Sequence, residues 1–163
     1  KTIWKILETF KMAVNTYTPL LHEVLKKVHN AKTKEKKIEI LRENNSDALR
    51  MIIKGSFDPN IEWVVPEGDV PYQKNEAPDG TEHTILLQES KKLWRFIKGA
   101  DNQTPQWKKE NMFVQMLEGL SQGEAEVVVA AKDKKLHQVY KGLSAAVVKE
   151  AFGWNDEFYN PNK

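Results

Sequence analysis

The sequence predicts a mainly α-helical protein: a compact bundle of about six to seven short helices, with one extended, proline-rich acidic segment packed on it. Apolar residues recur at three- and four-residue spacing along most of the chain, and Ser or Thr caps precede several of these stretches. A length of 163 residues with 40% hydrophobic residues fits one globular domain, 1–163. Its predicted parts are a basic helical part (1–55), an extended acidic segment (56–80), a second helical part (81–153) and an aromatic-acidic tail (154–163).

Four helices are predicted in the basic first part. The last three have a recognisable start, at Thr18-Pro19, at Thr33 and at Ser46, because a hydroxyl can accept a hydrogen bond from the first turn and proline is tolerated at the first helical position. Gly55 is predicted to end the fourth helix. The apolar stripes are Ile3, Ile6, Leu7, Phe10 and Val14; Leu20, Leu21, Val24, Leu25 and Val28; Ile38 and Leu41; and Leu49, Ile52 and Ile53.

The acidic segment that follows has no helical period. It contains four prolines, which rule out a long helix, and residues 61–90 hold one basic residue against seven acidic ones. Apolar side chains along the segment are expected to hold it against the helices, rather than leave it as a free linker. These anchors are Ile61, Trp63, Val64, Val65 and Tyr72.

Two helices are predicted next. A long one runs from Glu82 to Gly99, and its apolar face consists of Leu86, Leu93 and Ile97. Another begins at the second cap-plus-proline pair, Thr104-Pro105, and carries Phe113, Met116, Leu117 and Leu120.

The last two predicted helices also begin at serine caps. Ser121 and Glu124 have the spacing of a capping box, which should open a helix through Ala131. Three consecutive valines leave a strand possible there, although the cap and the alanines favour a helix. Ser144 is predicted to cap a helix through Phe152, before a glycine stop.

Composition excludes several classes of protein. Without cysteine the chain has no disulfide framework, thiolate-held metal or cysteine nucleophile, which favours a reducing, intracellular setting. No apolar run approaches the roughly 20 residues of a membrane span, and the amino terminus lacks the apolar core of a signal peptide. We therefore expect a soluble protein without a membrane partner.

The sequence gives little support for an enzyme, a metal or a cofactor. His22 and His29 are seven residues apart, which is a weak signal for a metal site compared with two solvated histidines. A hydrolase that uses acidic-segment carboxylates and a divalent metal is the least favoured hypothesis, because no phosphate-binding loop or nucleophile motif accompanies them. The carboxylates concerned are Asp58, Glu62, Glu67, Asp69, Glu76 and Asp79.

Two basic groups motivate a nucleic-acid hypothesis. In the second group the cations alternate with Trp94 and Phe96, and single-stranded nucleic acid is bound by such a combination of charge and stacking. The alternative is that the lysines are solubilising and the aromatics belong to the core. The first basic group consists of Lys26, Lys27, Lys32, Lys34, Lys36 and Lys37, and the second basic group of Lys91, Lys92, Arg95 and Lys98.

The tail contains the aromatic residues Trp154, Phe158 and Tyr159 beside acidic ones. If the tail is free, these side chains can anchor a protein partner, since aromatic residues dominate interface energies. If it folds back, they close the core, which is the favoured interpretation.

Several stretches of the chain together resemble a family of small proteins encoded by T-even-like tailed phages, particularly marine ones. They are FDPNIEW at 57–63, VPEGDVPY at 65–72, NMFVQMLEGL at 111–120, KDKKL at 132–136, YKGL at 140–143 and EAF at 150–152. The resemblance spans most of the chain and brings no activity or site with it. It implies a phage protein that acts in the cytoplasm of an infected bacterium or in virion assembly.

The first functional hypothesis is therefore a non-enzymatic phage accessory protein, which binds DNA, RNA or a nucleic-acid-processing complex through its basic helical surfaces. The alternative is an adaptor or structural protein, in which the acidic segment and the aromatic tail meet a phage or host protein.

Overall fold

The computed structural model describes residues 19–74 and 84–154, and these residues form the compact all-α bundle that the sequence predicts. The first predicted helix, Ile3 to Val14, lies outside the described residues. A 3-10 helix spans Ser90–Phe96. The α-helices are α1 Leu21–Asn30, α2 Lys34–Glu43, α3 Asp47–Phe57, α4 Leu86–Glu89, α5 Gln106–Gly119, α6 Gln122–Lys132, α7 Leu136–Val139 and α8 Ala145–Phe152.

Helix α6 is the centre of the bundle, and α1, α3, α5 and α7 pack around it. The valines of α6 belong to a helix, so the alternative of a strand is wrong. Val127 and Val128 are fully buried and Val129 is partly buried, because neighbours surround this helix on several sides. A helix that is apolar almost all round is typical of such a central position.

Four predicted serine and threonine caps are confirmed by their hydrogen bonds. The hydroxyls of Thr33, Ser46, Ser121 and Ser144 each accept from a backbone N–H three residues on, at 3.1 to 3.3 Å. Gly153 ends α8 in the left-handed conformation, with φ of 67°, which a residue without Cβ adopts at little cost.

Both predicted cap-plus-proline starts are displaced. Helix α1 begins at Leu21 and α5 at Gln106, so Pro19 and Pro105 precede the first helical residue instead of occupying it. The hydroxyl of Thr104 donates to Asp101 Oδ2 at 2.8 Å. That contact closes a local turn, and Thr104 is not the cap because α5 begins at Gln106 with Pro105 at the cap position.

The long helix predicted from Glu82 to Gly99 is wrong. One turn of α4 passes directly into the 3-10 helix, and Ile97 then adopts an extended conformation. A 3-10 helix has three residues per turn, so residues three apart share a face. The buried side chains obey that period, since they are Ser90, Leu93 and Phe96.

The acidic segment is packed, as predicted, from Asp58 to residue 74; residues 75–80 lie outside the described part of the chain. We call residues 58–74 the strap. Its backbone joins the end of the 3-10 helix through an antiparallel bridge between Trp63 and Ile97. Val65 is buried in the core, and Trp63, Val64, Val70 and Tyr72 pack against it.

Candidate nucleic-acid interface

The first basic group surrounds the turn between α1 and α2. Five of its lysines are exposed and Lys37 is partly buried. Lys34 Nζ lies 2.9 Å from Glu150 on α8, and Lys36 Nζ lies 3.3 Å from Glu39. The Glu150 contact raises the pKa of Lys34 and, reciprocally, lowers the pKa of Glu150. These two lysines therefore have carboxylate partners.

Lys26, Lys27 and Lys32 differ from that pair. All three are exposed, and none forms an ion pair with a residue in 19–74 or 84–154. Lys27 belongs to the last turn of α1, where the partial negative charge of the helix end favours a cation. These three ammonium groups present positive charge to solvent around one helix end.

The second basic group lies on the 3-10 helix and just beyond it. Lys92 Nζ is 3.3 Å from Glu89, and Lys98 Nζ is 3.3 Å from Glu62 of the strap. Arg95 places its guanidinium carbon 5.4 Å from the centre of the Trp94 ring, within the range of a cation–π contact. Lys91 is exposed and has no ion pair within the described residues.

The two aromatic residues of this group have opposite environments. Phe96 is buried and packs edge-on against Phe113, with ring centres 5.1 Å apart, so it is a core residue. Trp94 is 43% exposed. The stacking surface predicted from the pair is thus reduced to one tryptophan.

The two basic groups lie on different sets of helices. The first lies on α1 and α2, which pack on each other, with α2 also packing on α8. The second lies on and beside the 3-10 helix, whose main neighbours are α3, α4 and α5. They are separate basic surfaces of one bundle.

A cleft of about 480 Å³ lies between α3 and the 3-10 helix. Lys91 of the second basic group and Trp154 of the tail both line this cleft. The sequence did not show that these two residues lie together. Arg50 and Lys54 were missed altogether, although their four-residue spacing puts them on one face of α3. The lining includes Asp47, Arg50, Met51, Lys54, Lys91 and Trp154.

Trp154, the first residue of the aromatic tail, packs against the core. Trp154 is partly buried and packs on Phe152, with ring centres 5.3 Å apart. Its backbone N–H donates to Lys149 O at 3.0 Å. Phe158 and Tyr159 lie outside the described residues.

A lysine latch holds the strap, and sequence analysis did not identify it. Lys132 has a fully buried side chain, whose ammonium donates to Pro66 O at 2.8 Å, to Gly68 O at 3.0 Å and to the Asp133 carboxylate. Three acceptors match the three donors of an ammonium group. Asp133 Oδ1 also accepts from Gly68 N at 3.1 Å. The buried charge is therefore both paired and hydrogen-bonded.

Lys134 completes the latch from an unusual backbone position. Its φ is 60°, in the left-handed region that usually costs a side-chain-bearing residue about 1–2 kcal/mol. This conformation ends α6 in a Schellman motif, in which Lys135 N donates to Ala130 O and Lys134 N to Ala131 O. The Lys134 ammonium donates to Asp58 O and Ile61 O, and burial lowers its pKa.

Replacing Lys132 with Met is expected to loosen the strap around Glu67. The carbonyls of Pro66 and Gly68 would lose a charged donor, and such hydrogen bonds contribute about 1.5–3 kcal/mol. Cleavage after Glu67 by a glutamate-specific protease should accelerate at least about tenfold. This factor corresponds to a decrease of about 1.4 kcal/mol in the free energy of opening the strap. The matched control is Lys135→Met, an exposed neighbour, whose cleavage rate should equal that of wild type. Equal rates for both variants would contradict the latch.

The histidines considered as metal ligands make other contacts. A Cβ at Gly123 would overlap the His22 ring, so this ring packs closely on α6. His29 Nδ1 accepts from Gly142 N at 3.4 Å. Within 19–74 and 84–154, no group of three His, Asp or Glu residues is arranged to hold a metal ion. Glu76 and Asp79 lie outside these ranges.

The fold and these surfaces define a small helical protein with two basic groups and a cleft between α3 and the 3-10 helix. The sequence of residues 24–138 matches the model of DUF6433, a protein family of unknown function. The chain belongs to this family. No curated protein and no solved structure matches the chain. Among the described residues, no helix is both long and apolar enough to cross a membrane.

Proposed function

We propose that this protein is a non-enzymatic nucleic-acid-binding protein, which contacts DNA or RNA, or a nucleic-acid-processing complex, through its basic helical surfaces. The observation that carries the proposal is the exposure of Lys26, Lys27 and Lys32 around the end of α1, without carboxylate partners among the described residues. Ammonium groups in this state can neutralise phosphates and release counterions without first breaking an ion pair.

The second basic group supports the same function through a different combination of groups. Lys91 is exposed, and Trp94 presents an exposed ring beside Arg95. Cations bind the phosphate backbone, while an aromatic ring stacks on an unpaired base. The resemblance to phage proteins extends the proposal, since a phage protein with this activity would act on nucleic acid in the cytoplasm of the infected bacterium.

Oligonucleotide binding is expected to weaken steeply with salt. For a fluorescein-labelled 20-mer measured by anisotropy, the slope of log K against log salt should be about −2 to −3 on single strands, because each neutralised phosphate contributes about −0.7. The Lys26→Gln/Lys27→Gln/Lys32→Gln variant should give a shallower slope. Among single substitutions, Lys32→Gln should change the slope by about 0.7, and Lys34→Gln, which removes a charge already paired with Glu150, should change it less. Absence of binding by the wild-type protein at low salt would overturn the proposal.

The alternative function is that of an adaptor in virion assembly or host-protein modulation. The observation in its favour is that the latched strap exposes Glu67 and Asp69 on a fixed backbone, so an acidic surface is presented without a cost in ordering. Capture from an infected-cell lysate separates the two functions. Recovery of one protein that resists nuclease treatment supports the adaptor, and recovery that nuclease abolishes supports nucleic-acid binding.

A further inference from the structure

We propose that the cleft between α3 and the 3-10 helix is a binding site for single-stranded nucleic acid, in which Arg50 and Lys91 hold phosphate and Trp154 stacks on an unpaired base. This inference rests on the proposed function and makes it more specific. It identifies one surface, one class of nucleic acid and a division of roles among the side chains. The supporting observations are the charge of the cleft, the orientation of Arg50, the position of the tryptophans and the size of the cleft.

The charge of the cleft is predominantly positive. Among the described residues that line it, Arg50, Lys54 and Lys91 stand against the one carboxylate of Asp47. Lys91 is exposed and has no ion pair within the described residues. A concave surface with an excess of one sign concentrates ligands of the opposite charge.

Arg50 is held in position by its own helix start. Its Nη1 donates to Asn45 Oδ1 at 2.9 Å, and its Nη2 donates to the Asp47 carboxylate. A guanidinium group has five donors, so these two contacts fix the plane of the group and leave further N–H groups for a phosphate. Since the side chain is already ordered, less entropy is lost when it binds a ligand.

One tryptophan lines the cleft beside these cations, and a second shares a helix face with Lys91. Trp154 lines the cleft and packs on Phe152. Trp94 follows Lys91 by three residues, and three residues make one turn of a 3-10 helix, so both lie on the same face. The bases of a duplex are already paired and stacked, whereas an unpaired base can stack on an aromatic ring. The arrangement therefore favours single strands.

The size of the cleft agrees with this ligand. Its volume of about 480 Å³ falls within the range of about 300–1,000 Å³ that small-molecule pockets occupy. A cleft of this size accommodates a group as large as a nucleotide but cannot enclose a duplex. One or two nucleotides of a longer strand would enter the cleft, and the rest of the strand would continue outside it over the protein surface.

Two variants that each lose two positive charges test the site. Arg50→Gln/Lys91→Gln removes the cleft cations, and Lys26→Gln/Lys27→Gln removes the same charge from α1. For a fluorescein-labelled dT12 strand at low salt, the cleft variant should bind at least about tenfold more weakly than the α1 variant. Its salt slope should be shallower than that of wild type by at least about 0.7, the contribution of Lys91, because Arg50 is already paired with Asp47. A 12-base-pair duplex should not distinguish the variants to this extent. Far-UV circular dichroism and thermal melting confirm that both are folded.

Tryptophan fluorescence tests the stacking role. Addition of unlabelled dT12 should quench the wild-type emission, and Trp154→Leu should remove part of this quenching. The control is Trp107→Leu, because Trp107 is 65% exposed but belongs to α5 and does not line the cleft. Quenching that is equally large in Trp154→Leu and in wild type would overturn the stacking role.

The outcomes separate the cleft from the general function. Equal weakening of dT12 binding in both double variants, or weakening only in the α1 variant, overturns the cleft and leaves nucleic-acid binding intact. Failure of the wild-type protein to bind either probe overturns both proposals. Selective loss in the cleft variant, together with reduced quenching in Trp154→Leu, supports the site.

Discussion

Replacing Glu124 with Ala is expected to lower the free energy of unfolding by about 3 kcal/mol or more, enough to unfold a marginally stable domain. The Glu124 side chain is fully buried. Its Oε2 accepts from Leu21 N at 3.1 Å and its Oε1 accepts from Leu86 N at 3.0 Å. Truncation would leave both backbone N–H groups buried without this acceptor, and each such loss costs about 1–3 kcal/mol.

The position of these contacts explains why they matter for the whole fold. Leu21 and Leu86 are the first residues of α1 and α4, and Glu124 lies in the first turn of α6. Three helix starts therefore converge on one carboxylate, which complements their partial positive charges. The single side chain links the two halves of the chain to the central helix.

Urea unfolding followed by circular dichroism measures this effect. Glu124→Gln retains one acceptor oxygen and replaces the other with an N–H donor, so its loss of stability should lie between those of wild type and Glu124→Ala. Glu126→Ala is the control, because Glu126 belongs to the same helix but is exposed. A Glu124→Ala protein as stable as the control would disprove the linking role.

Glu124 also shows where prediction from the sequence stops. The capping-box pattern correctly gave the start of α6, since Ser121 Oγ accepts from Glu124 N at 3.3 Å. The expected return bond from the glutamate side chain is replaced by bonds to residues 103 and 38 positions away. A local motif describes local bonds, whereas a buried carboxylate accepts from whichever donors the tertiary fold brings to it.

The helices themselves were largely predictable because their causes are local. Apolar spacing and hydroxyl caps gave α2, α3 and α8 close to their observed bounds. The prediction of a helix from Glu82 to Gly99 failed because the spacing of Leu86, Leu93 and Ile97 also fits one face of an α-helix. Burial of Phe96 and the bridge from Ile97 to the strap, both tertiary effects, favoured the tighter 3-10 helix instead.

The candidate site was predictable only in part for the same reason. Runs of lysine are visible in the sequence, so the exposed lysines of both basic groups were found. The cleft required α3, the 3-10 helix and the tail to meet, which the sequence does not show. Lys132 and Lys134 resemble a solvated helix end in sequence, yet their ammonium groups bind strap carbonyls more than 60 residues away.

Replacing Trp63 with Ala is expected to lower the free energy of unfolding by about 3 kcal/mol, the lower end for a large aromatic residue because Trp63 is only partly buried. Its indole Nε1 donates to Gly55 O at 3.0 Å. The usual helical donor to that carbonyl would be residue 59, which is proline and has no N–H. Trp63 therefore supplies the bond that the helix lacks.

Gly55 does not end α3 as predicted, and this contact gives the glycine a different role inside the helix. A Cβ at Gly55 would lie 2.7 Å from Trp63 Cζ2, so the glycine allows the indole ring to lie directly on the helix backbone. In an open helix, Gly→Ala would stabilise by about 1 kcal/mol. Here Gly55→Ala is expected to destabilise the protein instead, because the ring must move.

A double-mutant cycle in urea tests the strap contact through that change of sign. Gly55→Ala should be destabilising in the wild-type protein but neutral or stabilising in the Trp63→Ala background, with a coupling energy of about 1–3 kcal/mol. Trp63→Phe separates the contribution of the ring from that of the hydrogen bond, since it keeps most of the packing but removes the donor to Gly55 O.

If the effects of Gly55→Ala and Trp63→Ala were additive, the strap would not be packed on α3 through this contact. The lysine latch would then be its main attachment, and Lys132→Met should release it fully.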